Sequence, residues 1–145
     1  MKLRLLLAHF AEVQSQMLYA LGLGWTNTGP APAGFAICGV IEVTWDETNR
    51  QHTLEITIQD ADGQPFMVQT PLGDQPFRFQ AQFEVGRPPG ERPGRHFTMP
   101  LAINIPPLAF RPGQDYIVRA TIGSELMDEI PFEVRAQPIV PPQLG

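Results

Sequence analysis

Cysteine and lysine each occur once in the 145 residues, as Cys38 and Lys2. A lone thiol can close no intrachain disulfide and can build no multi-cysteine metal site. Serine is nearly as scarce. Ser15 and Ser124 both fall in turn patterns, and neither lies in the Gly-x-Ser-x-Gly of a nucleophile elbow. His9, His52 and His96 show no His-x-His or His-Glu-x-x-His spacing. Charged residues make up 17% of the chain, below the roughly 25% of an average domain. The net charge is −5, which disfavours nucleic acid as a partner.

Long hydrophobic runs are missing as well. No segment approaches the roughly 18 apolar residues of a membrane span. The apolar run after Lys2 and Arg4 stops at His9 after four residues, short of the roughly 7–15 needed by a signal peptide. These absences lead us to expect a soluble, cytoplasmic protein with no membrane or nucleic-acid partner, no metal and no cofactor.

What is present is strand alternation. Phe77, Phe79, Ala81, Phe83 and Val85 alternate with Arg78, Gln80, Gln82 and Glu84, and Leu54, Ile56 and Ile58 with Glu55, Thr57 and Gln59. The same period runs through Met99–Ile105, Tyr116–Ile122 and Ile130–Val134. One apolar and one polar face per strand is the mark of antiparallel strands with one side on a core. Glycine and proline (13 and 16 residues) recur between these segments as turn signals, at the spacing of a sandwich or barrel. The length suits one domain. We expect an all-β antiparallel sandwich of about seven to nine strands over residues 1–136, with a Pro-rich tail at 137–145.

The first 25 residues also fit a helical stripe through Leu3, Leu6, Leu7, Phe10, Met17, Leu18 and Leu21. Gly22 and Gly24, costly inside a helix, favour strand–turn–strand, with the turn in Val13–Gln16. Pro131 places the last strand at a sheet edge. The stretch Phe35–Trp45 is apolar on both faces until Glu42. If Phe35, Ile37, Ile41, Val43 and Trp45 face the core, Ala36, Cys38 and Val40 face the other way. That second face needs a cover, either the N-terminal hairpin or a second copy of the chain, and the expectation leans to a homodimer interface.

The segments AHFAEV…LYALGLGW, VTWDETNRQHTLEITIQDADGQPF and PLAINIPPLAFRPGQDYIVRATI resemble a bacterial family of short immunoglobulin-like β-sandwich domains of unknown function. The resemblance implies the sandwich fold and carries no activity. RPGQDYIVRATI is also similar to the last hairpin of immunoglobulin-like sandwiches, in which a tyrosine hydroxyl ties back to the main chain. Tyr116 is the candidate for that tie.

Four constellations hold suitable chemistry. Asp60, Asp62 and Gly63 begin like a calcium loop. The fifth and twelfth positions, however, are Gln64 and Pro71 rather than ligands, so a turn with positive φ at Gly63 is expected. Asp46, Glu47 and His52 could form an acidic cluster, but a turn capped by Asp46, with Trp45 plugging the core, fits better. Arg87, Arg92, Arg95 and His96 sit on a stiff Pro/Gly loop that could grip an anion or a partner. Trp25 and Trp45 could stack a sugar or another small ligand. The expected function is therefore non-catalytic, through a protein partner or homo-oligomer, with a small-ligand or carbohydrate-binding sandwich as the alternative.

Overall fold

The computed structural model describes residues 1–30 and 32–136. Two sheets enclose one core. The narrower holds β1 (Lys2–Ala8), β5 (Phe35–Val43) and β10 (Phe97–Ile105), in the order β1-β5-β10. The wider holds β4 (Asn27–Thr28), β6 (Gln51–Asp60), β9 (Arg78–Glu84), β11 (Asp115–Ile122) and β12 (Glu125–Val134), in the order β4-β12-β11-β6-β9. All strand pairs are antiparallel except the short β4–β12 contact. The predicted all-β antiparallel sandwich is the observed one. Among the described residues no helix is long and apolar enough to cross a membrane.

The described strands number twelve, more than the seven to nine expected. The surplus is short: β4 has two residues, and β2 (Phe10–Gln14) with β3 (Met17–Leu21), and β7 (Met67–Thr70) with β8 (Gly73–Pro76), form separate two-stranded hairpins. Such pieces leave only a few alternating positions each, too few for a period to register. The Pro-rich segment 137–145 lies outside the described residues.

Alternation fixes the core. Leu3, Leu5 and Leu7 of β1, Ile37, Ile41 and Val43 of β5, Leu54, Ile56 and Ile58 of β6, and Val118 and Ala120 of β11 are all buried in it. At one end the rings of Phe35, Phe66, Phe110, Tyr116 and Phe132 pack edge to face and stacked, with centroids 4.8–6.3 Å apart. Tyr116 is buried among them, and its hydroxyl accepts the Arg111 N–H at 2.9 Å. Gly39 sits mid-β5 because a Cβ there would collide with the Arg4 carbonyl oxygen across the ladder.

Residues 1–25 form three strands rather than two. β1 pairs with β5, the chain steps out at His9, and β2 and β3 return as a hairpin turning at Ser15 and Gln16, both at positive φ. This hairpin covers the second face of β5. Ala36 and Cys38 are completely buried with Ala8 and Ala11, beneath Leu18, Ala20 and Ala102. Ala36 and Cys38 are therefore not open to a second copy, and only Val40 of the expected trio remains exposed. The leaning to a dimer through that face is corrected: small side chains on β5 let a local hairpin approach closely enough to do the covering. Pro131 lies in β12 outside the stretch paired with β4, which covers only Glu133 and Val134.

Candidate functional site

Asp60 closes its turn through its own carboxylate. Oδ1 accepts the N–H groups of Asp62 and Gln64, both at 2.9 Å, and Gly63 has φ 79°. Aspartate and glycine here shape the exit from β6.

The Trp45–Glu47 segment is a 3-10 turn whose N-cap is Thr44, and Glu47 rather than Asp46 supplies the capping carboxylate. Glu47 Oε1 accepts the Thr44 N–H at 3.0 Å and the Thr44 hydroxyl at 2.8 Å, and meets the Met1 ammonium at 2.9 Å. Burial would raise the Glu47 carboxyl, but these hydrogen bonds outweigh it and bring its pKa down to about 2. The capping signal was the Thr-x-x-Glu spacing, in which the residue three along reaches back to the cap. His52 Nε2 lies 2.8 Å from the Glu47 carbonyl oxygen, not its carboxylate. Asp46 stays exposed, so the three side chains do not converge. Among the described residues no group of three His, Cys, Asp or Glu side chains is placed to hold a metal ion.

Trp45 is half-buried at the surface, not a core plug. One side of its ring stacks on Phe97, with centroids 6.2 Å apart, and the Arg87 guanidinium lies 4.0 Å from the ring centroid. Arg87 also donates to the Thr48 hydroxyl at 2.5 Å and to the Trp45 carbonyl at 2.7 Å. Trp25 is far from this arrangement in role. It packs edge-on against Phe35 and Phe132 at the aromatic end of the core. The tryptophans form no shared platform.

The arginine loop 86–96 borders a groove of about 750 Å³ with Phe97, Met99 and Pro100. Its cations are largely engaged within the protein. Arg87 is tied as above, Arg95 pairs with Glu91, and His96 Nδ1 meets Glu42 Oε1 at 2.8 Å. The hydrogen bond from His96 comes first among the influences lowering the Glu42 pKa. Arg92 is exposed. The loop reads as a self-neutralised connection more than as a cluster of free forks.

The surface that the residue pattern did not single out is the outer face of the β2–β3 hairpin. Cross-strand pairs Phe10–Leu21, Glu12–Tyr19 and Gln14–Met17 share that face, and Ala11–Ala20 and Val13–Leu18 share the inner one. Phe10, Met17, Tyr19, Leu21 and the following Leu23 are each 45–68% exposed. The hairpin is clamped to the sandwich by Asn104, whose side-chain amide accepts the Ala11 N–H at 3.3 Å and donates to the Ala11 carbonyl at 2.7 Å.

Residues 3–135 match the profile described as Family of unknown function (DUF6941). The chain belongs to that family. No curated protein and no solved structure gives a significant match. The DUF6941 match runs from within β1 to just past β12, so it takes in both sheets and the covering hairpin. A signal for the outer face did exist in the sequence: Phe10, Met17, Tyr19 and Leu21 were visible as apolar residues. Apolar character alone does not say which side of a two-stranded hairpin faces the sheet, so the outer face shows only once β2 and β3 are placed.

Proposed function

We propose that this DUF6941 protein is a non-catalytic, immunoglobulin-like sandwich that works through protein–protein contact, with the outer face of β2–β3 as its contact face. The observation that carries this reading is the row of Phe10, Met17, Tyr19 and Leu21 standing in solvent on one side of a hairpin that already has a packed inner side, with the exposed Leu23 just beyond it. Proteins in water rarely leave contiguous large apolar side chains uncovered unless something binds there. Aromatic residues and methionine are the types enriched at the centres of protein interfaces. The Asn104 clamp holds the hairpin in place, which lowers the ordering cost of binding. The tie between Tyr116 and Arg111 supports the immunoglobulin-like description of the sandwich.

The test is a pair of substitutions, Tyr19→Asp and Leu21→Asp, compared with the unaltered protein by co-purification from its own cells. Exposed positions of this kind change stability by only about 0.5 kcal/mol. Both variants should fold normally and lose the same co-purifying protein. Retention of that protein by both variants would contradict the contact face.

A further inference from the structure

Among the described residues β9 ends the wider sheet and pairs with β6 alone. The facing sheet is two strands narrower. The inward side chains of β6, Leu54, Ile56 and Ile58, are accordingly buried, while those of β9, Phe79, Ala81 and Phe83, are only half-buried. β9 contains no proline, no lysine and no inward-pointing charge, and its pairing with β6 has no bulge; its two charges, Arg78 and Glu84, stand at its ends on the outer face. The other open edges are protected, with Pro100 in β10 and Pro131 in β12.

The seven residues of β9 read Arg78-Phe79-Gln80-Ala81-Gln82-Phe83-Glu84, a sequence nearly symmetric about Ala81. An antiparallel second copy related by a two-fold axis through Ala81 sets Arg78 opposite Glu84, Phe79 opposite Phe83, Gln80 opposite Gln82, and Ala81 opposite itself. Each pair is complementary: opposite charges, two aromatic rings, two amides and two small side chains. Main-chain parity agrees with this register. The Asn49 N–H donates to the Val85 carbonyl at 2.8 Å, so odd-numbered residues of this strand direct their main-chain groups toward β6. Arg78, Gln80, Gln82 and Glu84 then direct theirs to the open edge, as the hydrogen-bonded pairs of an antiparallel ladder require, and Ala81 meets itself in a close, non-hydrogen-bonded pair.

We propose that two copies of this chain pair through β9 in this register, joining their five-stranded sheets into one continuous ten-stranded sheet. The occupant of the edge is a second copy because the edge is complementary in charge and shape to itself. The ladder satisfies main-chain groups that one copy leaves open, and it covers Phe79 and Phe83. Arg78, which in one copy meets Glu55 at 3.0 Å, lies between that carboxylate and Glu84 of the second copy. The inference goes beyond the hairpin reading and uses a separate surface, so either can fail alone.

Light scattering at about 100 µM, where even weak complexes of small interfaces assemble, should give twice the 16.1 kDa chain mass. Glu84→Arg sets arginine against arginine in both symmetric pairs and should weaken dimerisation about tenfold, about 1.4 kcal/mol over the two pairs together. The double variant Arg78→Glu/Glu84→Arg restores opposite charges and should recover the dimer. Ala81→Cys should give a covalent dimer on mild oxidation, because facing Cα atoms in a non-hydrogen-bonded pair stand about 4.5 Å apart. Gln80→Cys, which faces Gln82, should not, and Cys38 is buried away from the edge. A monomer at that concentration would overturn the proposal. So would equal crosslinking of the Ala81 and Gln80 variants, or failure of the double variant to recover the dimer that Glu84→Arg loses. Tyr19→Asp should leave the dimer intact, which separates this result from the fate of the hairpin face.

Discussion

Asp128 Oδ2 accepts the Leu5 N–H at 2.7 Å, joining the wider sheet to the outer edge of the narrower one. The second oxygen of the same carboxylate accepts the Glu129 N–H at 2.9 Å. One side chain thus occupies main-chain donors on β1 and β12, where neither strand has a partner in the other's sheet. An inward-reaching charge at an edge is a known protection against strand addition. β9 has no such residue, which is why self-pairing is assigned to that edge.

Removing this bridge should be costly for a half-buried group. Asp128→Ala leaves both N–H groups without their acceptor and should lower unfolding free energy by about 1.5–2 kcal/mol, the lower part of the range for charged hydrogen bonds. Urea unfolding measures it. Asp128→Asn, which keeps one acceptor oxygen, should recover part of the loss.

The hairpin can be followed through the thiol beneath it. Burial pushes the Cys38 pKa up, and its Sγ lies 3.5 Å from the Leu6 carbonyl oxygen. A thiol reagent should therefore modify Cys38 only when β2–β3 lifts. Asn104→Ala unties Ala11 from β10 and should speed modification on the order of tenfold, the effect of about 1.4 kcal/mol on a local opening equilibrium. An unchanged rate would show that the two Asn104 hydrogen bonds do not hold the hairpin down.

Tyr116→Phe keeps the ring among Phe66, Phe110 and Phe132 and deletes only the acceptor for Arg111. The expected loss is about 1 kcal/mol, the value of one typical hydrogen bond, read from the midpoint of chemical unfolding.

Much of the frame was legible because period two speaks clearly in long strands. β6, β9, β11 and the core face of β5 follow directly from alternation, and the Asp60–Gly63 turn follows from its residue chemistry. The candidate surface was less legible for a geometric reason. Ala36 and Cys38 announce only that their face of β5 is small and apolar, and either a second copy or the chain itself could cover it. The choice depends on how β2 and β3 cross the sheet, which pair with each other and not with β5. Once that hairpin supplies the cover, its own far side becomes the exposed apolar surface. Likewise Trp45 looked like a core residue, and only the approach of Arg87 from 42 positions away explains how it stays at the surface.

Acid should act through Glu47. Its pKa is lowered to about 2 from the usual 4.5. A carboxyl whose folded-state value is depressed stabilises the folded state above its unfolded value and loses that contribution as pH falls through the folded value. Stability should therefore fall between about pH 4.5 and pH 2, and Glu47→Gln should flatten that part of the profile while lowering stability at neutral pH. Urea midpoints measured across this interval for both proteins provide the comparison.

The central claim, contact through the outer face of β2–β3, is tested most directly by position-specific crosslinking in the producing cells. A photo-reactive benzophenone amino acid is introduced at Tyr19, and in a parallel protein at Asp62, an exposed turn residue after β6. The account predicts a discrete crosslinked species from position 19, to a protein of one mass, that position 62 does not give. No adduct from position 19, or the same diffuse products from both positions, would contradict it.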